Sequence, residues 1–196
     1  DRGSEGKPFA TINFAVTKAS SGDTIFVIGT VIESSQILID SKDLTFQGQS
    51  DAIVERSNPG RIIFAKGTSD LTFKNIIFQN ANAALQGSVI LTTNNNVVLT
   101  FEDCLFQKNT NSHINGSVVY IGKAEATFTR CTFYNNTATK DTARGVAIIF
   151  GGPFTGTITN CTFSENKLTE NTANFGAAIK TLDSGESQQL TITNSL

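Results

Sequence analysis

The sequence has no methionine and no tryptophan, a single histidine and three cysteines, and only 16% of its 196 residues are charged. Each scarcity excludes something. A zinc site gathers closely spaced Cys and His ligands. Here Cys104, Cys131 and Cys161 lie far apart and His113 stands alone, so no metal or other cofactor is expected. The 15 Lys and Arg against 17 Asp and Glu leave no basic footprint for nucleic acid or an anionic membrane. No apolar run approaches the roughly 18 residues that span a bilayer. With no Met and Asp1 in first position, the chain reads as a processed or excised segment, and no leader is visible in it.

What is abundant is Thr, Asn, Gly and Phe, the profile of a secreted β-protein rather than of a cytosolic helical enzyme. The length suits one domain, residues 1–196. The decisive feature is repetition. Ile158-Thr159-Asn160-Cys161-Thr162-Phe163 repeats Phe128-Thr129-Arg130-Cys131-Thr132-Phe133, Phe101-Glu102-Asp103-Cys104-Leu105-Phe106 and Phe73-Lys74-Asn75-Ile76-Ile77-Phe78. Ile192-Thr193-Asn194-Ser195-Leu196 begins it again. The spacings of about 28, 27, 30 and 34 residues between first positions mark a solenoid.

Alternate strand residues share a face. Upstream, Asp43-Leu44-Thr45-Phe46 recurs as Asp70-Leu71-Thr72-Phe73. Leu and Phe therefore point inward while Thr45, Thr72, Thr100, Thr127, Thr157 and Thr191 form an outward column. Phe128 and Cys131 are both core residues at odd spacing, so a bend lies between them. The bend column holds Asn75, Asp103, Arg130, Asn160 and Asn194, and Asn tolerates the left-handed conformation. A stacked turn with side-chain amides bonded along Asn75, Asn160 and Asn194 is expected.

Cys104, Cys131 and Cys161 share one inward slot with Ile76 and Ser195. Stacked coils place equivalent residues about 4.8 Å apart with parallel Cβ directions, whereas a disulfide needs Cβ atoms about 3.8 Å apart and turned together. A buried thiol ladder is therefore favoured over a bridge. Phe106, Phe133 and Phe163 form a second aromatic ladder, and Asn109, Asn136 and Asn166 follow each Phe by the same step at a second corner. A third strand begins at Gly87, Gly116, Gly145 and Gly176, after variable loops such as residues 137–144 and 167–175.

At the N-terminus, Pro8 suits a first helical position, and Phe9, Ile12, Val16 and Ala19 lie on one face. Residues 8–20 are expected to form a helix covering the open end of the stack. Residues 24–196 then supply about six to seven coils of three strands each.

Phe-x-x-Asn paired with Gly-Ala-Ala-Ile or Gly-Ser-Val-Val resembles the repeat of chlamydial polymorphic membrane proteins and related surface β-helix proteins. The resemblance spans residues 73–196, although Ser, Val or Ala replaces the second Gly of their motif. Pro8-Phe9-Ala10-Thr11-Ile12 through Gly22-Asp23-Thr24-Ile25 resembles the N-terminal cap of right-handed β-helix proteins, both adhesins and polysaccharide-active enzymes. The resemblance implies an all-β, right-handed, single-stranded parallel β-helix with a short capping helix.

A lyase on such a fold uses carboxylates to hold Ca²⁺ and a basic residue to take a proton; a hydrolase needs two carboxylates about 5 to 9.5 Å apart. The best acidic pair is Asp43 with Asp70, near Arg56, Arg61 and Lys66, and turn roles explain it better. His113 reads as a loop residue. An ice-binding role for the Thr column is set aside, because the neighbouring outward column breaks to Gln47, Lys74 and Glu102. Three sequons stand at Asn115, Asn135 and Asn160. Asn115 and Asn135 are expected to be open to glycan, and Asn160 to be held at its tight corner.

The expectation is a secreted or cell-surface, non-enzymatic structural or adhesive protein. The alternative is a polysaccharide lyase, epimerase or hydrolase. Because the sequence stops in mid-repeat, further coils of the same chain or other copies in a filament are the expected partners, with glycans or a host surface as possible ligands.

Overall fold

The computed structural model of the chain describes residues 3–93, 96–140, 143–169 and 178–196. Its strands stack into parallel sheets along one axis. The first sheet comprises Thr24–Val27, Leu44–Gly48, Ser69–Lys74, Val97–Glu102, Ala124–Thr129, Phe154–Thr159 and Gln188–Thr193. The second, six-stranded sheet runs from Thr30–Glu33 to Thr162–Ser164, and the third, also six-stranded, from Ile37–Asp40 to Ile179–Thr181. A fourth, not expected from sequence, contains the two-residue strands Asn82–Ala83, Thr110–Asn111, Thr137–Ala138 and Lys167–Leu168.

The third strands start at Ile90, Val119, Ile148 and Ile179, not at the preceding glycines. Gly87 instead turns the chain at φ +64°, and a Cβ there would meet the Ile90 carbonyl oxygen at 2.2 Å. Gly176 lies outside the described residues, as do positions 141–142 and 170–175 of the two expected variable loops.

The pairing puts like on like. Phe46, Phe73, Phe101 and Phe128 stack at centroid distances of 4.8, 5.0 and 5.0 Å, and Ile158 extends the column. Phe78, Phe106, Phe133 and Phe163 stack beside them at 5.3, 4.5 and 5.0 Å. The two stacks meet edge-on within each coil, as in Phe101 with Phe106 at 5.4 Å. Each buried Phe contributes about 1.5–3 kcal/mol by burial, and aromatic pairing adds about 0.5–1.5 kcal/mol. On the outer side, Thr24 joins the expected Thr column in register.

Coil length is not distributed evenly. Ser69 to Ala83, Val97 to Asn111, Ala124 to Ala138 and Phe154 to Leu168 contain the same number of residues. Among these four coils all differences in repeat length fall between there and the next strand of the first sheet, whereas the coil before them is three residues longer at its first corner, between Thr45 and Ile53.

The capping helix is shorter than expected, Ile12–Lys18, with Thr11 as N-cap accepting from the Phe14 N–H at 3.2 Å. Pro8 and Phe9 precede it, and Phe9 packs edge-on against Phe14. Ile12, Ala15 and Val16 face the core. Two charged side chains of the first coils fasten the helix. Glu33, only 1% exposed, accepts from the N–H groups of Ile12 at 2.5 Å and Asn13 at 3.2 Å. Lys42 donates to the carbonyls of Val16 and Ala19. Negative and positive groups thus meet the helix ends that favour them.

Two outcomes are expected. Phe133→Ala should cost about 3 to 5 kcal/mol by opening a cavity in a continuous stack, and Thr127→Ala on the outer face less than about 1 kcal/mol. Equal midpoint shifts in denaturant would mean that the inward and outward faces are misassigned. Burial raises the pKa of Glu33 despite its N–H donors and Arg56. A carboxyl raised in this way favours folding fully below its unfolded pKa and loses that contribution as pH rises through the folded value. Glu33→Gln keeps an acceptor but cannot ionise. The Tm advantage of the wild type over Glu33→Gln should therefore shrink between about pH 4 and pH 7; an advantage that grows over this range contradicts the burial effect.

Candidate functional site

The polar residues of this solenoid are concentrated at its two corners. The first corner is left-handed in successive coils: Asp51 (φ 56°), Asn75 (53°), Asp103 (54°), Arg130 (53°), Asn160 (55°) and Asn194 (48°). Asn and Asp accept this conformation readily and Arg does not. Arg130 is held there by two hydrogen bonds to the Asp103 carboxylate one coil below, at 2.7 and 2.8 Å. The guanidinium keeps the Asp103 carboxyl below its ordinary pKa.

The slot after this corner holds the cysteines, which are free and buried. The Cys131 Sγ donates to the Phe101 carbonyl at 3.5 Å, and the Cys161 Sγ accepts from the Cys131 N–H at 3.4 Å. Ser195 Oγ then accepts from the Cys161 N–H at 3.1 Å. The slot therefore selects a small side chain that serves the backbone of the coil below, and Ser can take over from Cys. The neighbouring Cys104 thiol and burial push the Cys131 thiol up to about 12. Cys161 is raised as well, chiefly by Cys131.

The amide ladder belongs to the second corner, which corrects its expected placement at Asn75, Asn160 and Asn194. Asn109 and Asn136 are 1% and 0% exposed. Asn109 Nδ2 donates to the Phe78 carbonyl and to Asn136 Oδ1, and Asn136 Nδ2 to the Phe106 carbonyl and to Asn166 Oδ1. Each Oδ1 also takes a backbone N–H, as Asn136 does from Asn109 at 3.0 Å. The left-handed residues here are Lys108, Asn135 and Glu165. The Phe-x-x-Asn pattern thus codes for a stacked ring, an outward residue, a left-handed turn and a buried amide. The first-corner Asn side chains point away from the stack instead.

The same geometry reverses the expected order of the sequons. Asn160 and Thr162 are exposed, whereas Asn115 and Asn135 are half-buried. Ser117, the hydroxyl of the first sequon, is buried and donates to the Val119 carbonyl at 2.8 Å. Asn115 Oδ1 is itself buried without a partner.

The remaining candidates do not converge. Asp43 Oδ1 accepts from the Asp70 N–H at 2.8 Å and Asp43 Oδ2 from Ser21 Oγ at 3.2 Å, both turn-fixing bonds. Lys66 pairs with Asp40 at 3.0 Å. Arg56 donates to the Arg61 carbonyl, and Arg61, 6% exposed, to the Gln86 and Gly87 carbonyls and Gln36 Oε1. Burial lowers the Arg61 pKa to about 10. His113 Nδ1 accepts from the Asn115 N–H at 3.0 Å inside its loop. No group of three or more His, Cys, Asp or Glu gathers among the described residues. A cleft of about 790 Å³ lies between the N-terminal segment and the first coil, lined in part by Phe9, Ile25, Phe26 and Ile28. Sequence reasoning missed Glu33, Lys42 and the burial of Asn109 and Asn136. For Glu33 a signal existed, since it shares the inward phase of Val31.

Because alkylation requires an accessible thiolate and all three cysteines are buried, native protein at about pH 8 should leave the thiols unmodified by iodoacetamide, and unfolded protein should react at all of them. Rapid native labelling of Cys131 would show that the slot is open.

No helix among the described residues is long and apolar enough to cross a membrane. A search of curated proteins finds no match to the chain. A scan of protein families matches residues 17–196 to the family described as right handed beta helix region. Nearly the whole stack is covered, and the chain belongs to the right-handed β-helix family.

Proposed function

We propose that the chain is an extracellular, non-enzymatic solenoid, a structural or adhesive segment of a cell surface. The observation that carries this reading is where its ionisable side chains are used. Glu33 and Lys42 hold the capping helix, Asp43 fixes a turn, and Arg61 ties adjacent coils together. Lys74 with Glu102 and Arg130 with Asp103 link coils on the outside. Each of these groups is thus engaged in holding the coil. The resemblance of the Phe-x-x-Asn repeat to that of surface β-helix proteins supports the location. Stacking into a surface filament is the narrower form of the same proposal.

The rival is a polysaccharide-active enzyme on the same fold. Incubation with pectin, alginate and related polymers should release no uronate beyond that seen with heat-unfolded protein. Release that rises with the concentration of folded protein overturns the non-enzymatic reading. Immunogold electron microscopy of native material should place the chain on surface stalks or filaments, and label confined to the cell interior overturns the location.

A further inference from the structure

We infer that Asn160 is an N-glycosylation site of the folded solenoid, carrying oligosaccharide on its carboxamide nitrogen. This rests on the extracellular reading and adds to it a defined position on the surface. An N-glycan is bulky and needs a surface Asn, with a Ser or Thr two residues on. At Asn160 both partners are exposed, and the buried Cys161 between them anchors the segment. The backbone is fixed by the Asn160 N–H donating to the Thr193 carbonyl at 3.0 Å and by the Thr162 N–H donating to the Cys131 carbonyl at 2.9 Å. The Asn160 carboxamide makes no hydrogen bond to any described residue. The residue is exposed at its left-handed corner, so an attached glycan breaks no hydrogen bond between the described coils.

The other sequons differ. Glycan on Asn115 would have to displace packing around its buried Oδ1, and Ser117 is closed off. Asn135 is half-buried and adjoins Asn136, which the amide ladder locks in the core.

The donor is an oligosaccharide on a polyprenyl diphosphate. The Asn160 nitrogen attacks the anomeric carbon as the carbon–oxygen bond to diphosphate breaks. Polyprenyl diphosphate leaves with the electron pair, and a base of the transferase takes one amide proton.

The test is expression of the full chain behind a secretory leader in a eukaryotic host, followed by glycopeptide mass spectrometry of the secreted protein. Asn160 should be occupied in most molecules, and more fully than Asn115 or Asn135. Thr162→Val, an exposed substitution that leaves the corner intact, should remove that glycan, while Thr162→Ser keeps it. A bare Asn160 in the secreted wild type, or higher occupancy of Asn115 or Asn135, overturns the assignment. Because the host supplies the compartment, this failure is distinct from an error in native location, which the micrographs read separately.

Discussion

The rest of the molecule depends on in-register parallel pairing, which sets each residue about 4.8 Å above its equivalent in the coil below. Under that constraint a side chain must tolerate its own kind as a neighbour. Phenyl rings do so by stacking, as Phe106 and Phe133 do. A buried amide does so because it carries both donor and acceptor, which is why Asn109, Asn136 and Asn166 can recur inside. Like charges repel when stacked, and where Asp70 follows Asp43 the Asp43 carboxylate is taken up by the Asp70 N–H and the Ser21 hydroxyl. Three stacked pairs on the outside accordingly bring opposite signs together, Asp40 with Lys66, Lys74 with Glu102, and Asp103 with Arg130.

The same constraint made the columns readable in advance. Phe73, Phe101, Phe128 and Ile158 were recognisable as one inward line because repetition exposes parity that a single strand hides. The left-handed corner followed from the shift in parity between Phe128 and Cys131. What escaped was information that repetition does not carry. Asn at the second corner looks like any loop Asn until its side chain is seen to enter the core. The sheet containing Thr110–Asn111 and Thr137–Ala138 has strands of two residues, too short for a pattern. The helix begins at Ile12 because Thr11 and Glu33 supply its end, and Glu33 lies 21 residues along the chain, in the first coil. At Asn160 the turn is tight and the backbone fixed, yet the residue is exposed.

Energetically such a stack behaves as a one-dimensional array in which each coil answers to its neighbours. The two ends of the capping helix are tied to side chains from different turns of the chain, Glu33 and Lys42. The helix and the first coils therefore share hydrogen bonds at both helix ends. Arg61 performs a comparable service one step along, reaching Gln36 on one side and Gln86 on the other.

The equal half-turns from Val97 to Asn111 and from Ala124 to Ala138 contain both left-handed corners, both ring stacks and the amide ladder. An inserted residue within one of their strands would move its inward side chains to the outer face and break the ring stacks with the coils on either side. The complementary half contains the stretches whose length already differs from coil to coil. From Ser69 to Leu168 the solenoid is thus divided lengthwise into a spine of constant length and a flank of varying length. Over evolutionary time, new loops and new surface chemistry have one long side of the molecule on which to appear, with the architecture beneath them left unchanged.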